Sequence, residues 1–190
     1  MTHRKNVLKL TLSAVALCAA SVAQAQLTPV APSCSATVTN PTWTDCAGAF
    51  EGNDKNQEAD VLATILAEFG LAGASFLGAS DDAANGPFSG NPETNSGTLN
   101  FDTAIDDPFV LSLKAGDSFS LFYFDGAGDA ISSIDFNTLG VSVNGQGIGS
   151  DLSHASVYGG VPAIPEPQTY ALMLAGLAAV GFMTRRRKQA

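Results

Sequence analysis

The sequence predicts a mainly β domain, an antiparallel β-sandwich with one amphipathic helix, set between a signal peptide and a C-terminal transmembrane helix. Three observations predict this. From Ser96 onward, short segments alternate apolar and polar residues with a period of two, the mark of half-buried strands. Earlier, Asn56 to Gly70 places Val61, Leu62, Ile65, Leu66 and Phe69 at helical spacing. Each end of the chain carries an uncharged apolar run flanked by positive residues.

The N-terminal run reads as a secretory signal. His3, Arg4, Lys5 and Lys9 supply a positive start, Leu10 to Ala20 an apolar core, and Ala23-Gln24-Ala25 a small-x-small cleavage site. The core is short for a bilayer span, which favours cleavage after Ala25 over an uncleaved anchor. Signal peptidase and the Sec machinery are the partners this implies. The chain then divides into a signal peptide at 1–25, a secreted domain at 26–160 and a C-terminal unit at 161–190.

Residues 26–164 hold 17 Asp and Glu against Lys55 and Lys114, a formal net charge of −15. Nucleic-acid binding is excluded as a function class, because phosphate contacts need Lys and Arg. Anionic membrane surfaces are disfavoured for the same reason. Solubility outside the cell accounts for the charge, and Ca²⁺ uptake is the sharper alternative. Cys18 leaves with the signal peptide. Cys34 and Cys46 remain, and in an oxidising compartment they are expected to pair. A loop of that length contributes on the order of 3 kcal/mol by chain-entropy reasoning.

Along the domain, Gln26–Ser33 is expected to be a flexible leader. Trp43 and Cys46 lie in a disulfide-stapled turn region, with Trp43 capping the core. Glu58 and Asp60 favour the start of the helix, and Gly70 is its expected stop. Ala72–Ser96, rich in Gly, Ala, Ser, Asn and Asp, reads as loops with a short strand at Ala74–Leu77. Thr98–Phe101, Phe109–Leu113, Ser118–Phe124, Ile131–Phe136, Leu139–Val143 and Leu152–Tyr158 are expected strands. Lys114–Asp117 joins a hairpin. Phe122 and Phe124 make the second face of their strand apolar too, so that face also requires a cover.

Few residues point to chemistry. His154 is the only histidine after the signal peptide, and no GxSxG motif accompanies it. In an alternating strand it reads as a structural histidine rather than a catalytic base. Zinc is disfavoured by one His and two paired cysteines. Asp125 and Asp129, with Asp135 and Asp106-Asp107 nearby in sequence, are weak Ca²⁺ candidates. They lack EF-hand spacing, and aspartates are good turn residues in any case. Trp43, Tyr123 and Tyr158 are core aromatics or sugar-stacking platforms. No cofactor is expected, and the domain reads as non-enzymatic.

The C-terminal unit is the most specific part. Pro165-Glu166-Pro167 precedes an uncharged segment over 167–184, about 27 Å long as a helix. Arg185-Arg186-Arg187-Lys188 follows as a basic anchor that the positive-inside rule keeps cytoplasmic. The two prolines hold Glu166 extended. In that order, these parts resemble the PEP-CTERM sorting signal of Gram-negative bacteria. The resemblance implies an exosortase-type transpeptidase as partner, which recognises the motif and removes the anchor. It also implies an inner-membrane-anchored precursor facing the periplasm, destined for the outer surface or an extracellular matrix associated with exopolysaccharide. The alternative role for the domain is a carbohydrate- or Ca²⁺-dependent binding module. Gly52-Asn53-Asp54-Lys55-Asn56 and Leu152-Ser153-His154 with Tyr158 resemble elements that recur in such ectodomains, without assigned chemistry.

Overall fold

The computed structural model describes residues 26–126, 128 and 130–162. Among the described residues, eight strands and one α-helix follow in order, after a single 3-10 turn at Cys34–Ala36. They are β1 (Thr39–Asn40), β2 (Asp45–Glu51), α1 (Glu58–Phe69), β3 (Leu71–Ala79), β4 (Ser96–Ile105), β5 (Phe109–Ala115), β6 (Ser118–Phe124), β7 (Ile131–Asn137) and β8 (Leu152–Pro162). A three-stranded sheet has the order β1-β7-β4, and a five-stranded sheet the order β2-β6-β5-β8-β3. All pairings are antiparallel. The expected β-sandwich class is therefore observed. The signal peptide with Ala23 and Ala25, the 167–184 segment, Pro165–Pro167 and Arg185–Lys188 lie outside the described residues. Among the described residues no helix is long and apolar enough to cross a membrane.

The larger sheet is apolar on both faces, and all seven residues of β5 are buried. Alternation sends Leu111, Leu113, Phe122 and Phe124 toward the smaller sheet, where they meet Leu99, Phe101, Ile134 and Phe136. It sends Val110, Phe119, Leu121 and Tyr158 the other way, against Val61 and Ile65 of α1 and Phe50. The helix thus supplies the cover that the second face demands. Gly70 ends it in a left-handed conformation (φ 66°), where a Cβ is disfavoured, and its N–H caps the Leu66 carbonyl. Val61 and Ile65 are fully buried, and Leu62 and Phe69 pack at the margin. Leu66, expected on the same face, is 52% exposed. Its position is about one residue beyond the stripe that meets the sheet.

Cys34 and Cys46 form the expected disulfide, with Cα atoms 6.0 Å apart. It ties the entering chain to β2. Trp43 packs against the inter-sheet core and donates from Nε1 to the Thr37 carbonyl at 3.1 Å, consistent with its expected capping role.

Three expectations are corrected. The leader is not loose, since Leu27 is buried and the backbone of Thr28, Val30 and Pro32 bonds to β2 at Glu51 and Ala49. It covers the edge of β2, which would otherwise expose unpaired backbone. The short strand expected at Ala74–Leu77 is nine residues long, Leu71–Ala79, and forms the opposite edge of the sheet. Leu139–Val143 is no strand. The N–H groups of Val141 and Ser142 turn back to the Thr138 carbonyl, and Val143 bridges Gly149.

The two sides of α1 give a direct check. Ile65→Ala is expected to cost roughly 2–5 kcal/mol in chemical denaturation. Leu66→Ala should cost less than about 0.5 kcal/mol. Equal losses would contradict the helix orientation. Replacing Cys34 and Cys46 together by Ser should cost about 2–4 kcal/mol in the same assay.

Candidate functional site: a sealed polar cluster and a sorting tail

The outer face of the larger sheet changes character along its length. Under α1 it is apolar, but toward the β5–β6 hairpin the cross-strand pairs become polar. Val110 faces Tyr158, Ser112 faces Ser156, and Lys114 faces His154. The turn after β2 folds over this polar end. Gly52 N–H bonds to the Asp117 carbonyl at 2.8 Å, anchoring the turn to the hairpin. The Asn53 side chain accepts from Lys55 N–H at 2.9 Å, and Asn56 and Gln57 N–H bond to the Asn53 carbonyl. This geometry drives Asp54 inward.

Asp54 is fully buried and His154 is 3% exposed. The His154 Nε2 lies 2.7 Å from Asp54 Oδ1 across 100 residues of sequence. An ionised carboxylate only accepts, so Nε2–H is the donor. Burial alone would raise the Asp54 carboxyl. The hydrogen bond and charge of His154, followed by the Ser156 and Ser112 hydroxyls, outweigh burial and hold it below its ordinary value of 3.8. Ser112, Ser156 and Tyr158 crowd this carboxylate without closing a hydrogen bond of normal geometry. Burial, then the charges of Asp54 and Glu58, push the Tyr158 phenol well above its ordinary value, so it stays protonated. Lys114 is lowered by burial, against the pull of Asp117 and Asp54, and donates to the Gly116 carbonyl.

A second loop closes the cluster from the side of β3. Ser80 exchanges bonds with Ala155, its N–H and its Oγ both at 2.8 Å. Lys55 pairs with Asp81 at 2.8 Å and Asp82 at 3.0 Å. Asp81 Oδ2 lies 3.6 Å from His154 Nδ1. The partly exposed Lys55 pairs are worth at most about 1 kcal/mol each. The buried Asp54–His154 pair matters more, because removing either partner strands a polar group in the interior.

Serine, histidine and aspartate thus meet here, but Asp54, Ser112, His154 and Ser156 are all buried. The larger cavities of the fold lie elsewhere. One groove of about 450 Å³ runs along Pro41, Thr42, Thr44, Phe124, Ile131 and Ser133. Asp125 sits exposed at its rim. Asp129 lies outside the described residues. Asp135 accepts from Thr98 Oγ1 at 2.6 Å and from Asn40 Nδ2 at 3.4 Å. Among the described residues no group of three or more His, Cys, Asp or Glu is placed to hold a metal. The aromatic candidates are committed to packing. Trp43 leans on Phe122, Tyr123 stacks on Phe69, and Tyr158 is buried against Phe76.

Sequence reasoning placed Asp54 and His154 in separate elements and missed their union. The available signal was that the only histidine of residues 26–162 and an aspartate each sit in one of the two short motifs singled out in the sequence.

His154→Ala, which leaves the Asp54 carboxylate buried and unpaired, should lose roughly 3–5 kcal/mol of stability. Acid provides the second test. Because the folded-state value of Asp54 is depressed, its contribution is complete above 3.8 and is lost as pH falls through the lower folded value. The stability gap between wild type and Asp54→Asn, followed by denaturation at a series of pH values, should shrink in that acid window. A gap independent of pH there would contradict an ionised Asp54.

No curated protein and no solved structure matches the chain. The family model of the PEP-CTERM protein-sorting motif matches residues 163–188. That match covers the Pro-Glu-Pro motif, the apolar segment and the basic cluster, and it implies an exosortase as processing partner. Proteins with this motif are exported and sorted to the cell surface, and this chain carries the PEP-CTERM sorting motif directly after its folded β domain.

Proposed function

We propose that the chain is the precursor of a non-catalytic structural component of the cell surface or of an exopolysaccharide-associated matrix. The sorting motif supports delivery, and the enclosed Asp54–His154 cluster supports the structural role of the domain. A catalytic base must reach its substrate within hydrogen-bond distance. Here the only histidine of the described residues spends its Nε2 on a buried carboxylate, behind the Gly52–Asn56 turn and the Ser80–Asp82 loop. The net charge of −15 over residues 26–164 suits a hydrated matrix. In this reading the precursor is held at the inner membrane by the 167–184 segment with the domain in the periplasm, after signal peptidase has acted.

The groove beside β7 favours a second reading, a carbohydrate-binding module. Its walls carry the hydroxyl-bearing residues Thr42, Thr44, Ser132 and Ser133 next to Asp125, a lining of the kind that meets sugar hydroxyls. It has Phe124 at its base but no exposed aromatic platform among Trp43, Tyr123 and Tyr158.

Pull-down of the secreted protein on the host's own exopolysaccharide separates the two. The structural reading predicts weak retention that falls with salt and is unchanged by Thr44→Arg. Tight retention abolished by Thr44→Arg would replace it with the binding module.

A further inference from the structure

The sorting motif begins almost where the fold ends. Strand β8 runs to Pro162, which pairs with Leu71. Only Ala163 and Ile164 separate it from Pro165. Three Cα steps of ~3.8 Å reach about 11 Å at full extension. That is roughly the spacing of a single pair of packed layers, whereas this domain has two sheets and a helix stacked on them. A processing enzyme that binds an extended peptide needs residues on both sides of its motif, so the folded domain crowds the approach.

The end of β8 has an unusual status in the sheet. Its pairing with β5 stops at Phe109 opposite Gly159. Beyond that, Gly160–Pro162 is held by β3 alone, and β3 is the sheet's edge. The register also shifts between Ala72 and Ser75, opposite this stretch. Strand β3 offers the small residues Ala72, Gly73 and Ala74 there, and Leu71, opposite Pro162, is the one large buried residue of that stretch. Residues 156–159, by contrast, are clasped between β3 and β5. Fraying therefore has a natural stop at Gly159. It lengthens the free reach from three Cα steps to six, about 23 Å, with the β5–β8 pairing intact.

We infer that Gly160–Pro162 is a built-in spring clip: its release from β3 exposes the sorting motif to the processing enzyme, and its hold on β3 sets the rate of tail removal. This rests on the reading that an exosortase-type enzyme removes the tail. The precursor would be processed in proportion to the population with the clip open, a local equilibrium far cheaper than global unfolding.

The test follows the full-length protein in its native host by pulse-chase, reading tail loss as a mass shift. Three variants are compared with wild type. A six-residue Gly/Ser spacer between Ala163 and Ile164 removes the need for fraying. Gly160→Ala places a Cβ 2.8 Å from the Ala74 backbone and loosens the clip. Ala72→Cys with Val161→Cys, a directly paired position, staples it shut. The spacer and Gly160→Ala should each speed tail loss several-fold, and Gly160→Ala should add nothing once the spacer is present. The staple should slow it, with reductant restoring the rate. Thermal melting of each purified variant checks that the domain still folds. Equal rates for wild type and the spacer variant would overturn the clip. Tail retention in every form, spacer included, would overturn the processing reading on which the clip rests.

Discussion

A sheet that is apolar on both faces governs this molecule. Once β5 and β6 send large side chains in both directions, neither face can meet water, and the chain must cover each one. The smaller sheet covers one and α1 the other. The helix is too short to reach the whole outer face. Where it ends, the sheet turns polar, and the Gly52–Asn56 turn brings Asp54 to His154. The buried pair is thus a consequence of incomplete cover: a polar patch under a turn is tolerable only when its groups meet each other.

The edges follow the same logic. Residues 28–32 protect β2, and Phe88 bridges Phe101 along β4. The edge of β3 is left to bulges, which disturb its pairing with β8 at two places. That same irregular edge holds the last three residues before the sorting region. A stretch held from one side only therefore sits where the chain leaves the larger sheet.

Much of this was legible in the sequence, and the failures have physical causes. β6 was placed at its observed bounds and β5 nearly so, because central strands clasped on both sides alternate cleanly. The helix stop at Gly70 and the Cys34–Cys46 pair followed from residue chemistry. Strand β3 was largely hidden, since Ala, Gly and Ser carry no alternation and two bulges break the period. Leu139–Val143 misled in the opposite way. Its apolar residues alternate, but Thr138 captures the following N–H groups, and only Val141 of the three enters the core. The Asp54–His154 pair was out of reach because two short motifs a hundred residues apart give no local sign of contact. The tail was the reverse case: its motif, apolar run and basic cluster are a linear signal, and the match to residues 163–188 agrees with it.

The β domain buries the Asp54–His154 pair and is followed directly by the PEP-CTERM sorting motif. Intact-mass measurement of the protein recovered from the surface of its native host tests the proposed processing at that motif most directly. The account predicts a species beginning at Gln26 and lacking the apolar and basic residues after Pro167. A mass that includes Arg185–Lys188 through Ala190 would contradict it and make the tail a permanent part of the working protein.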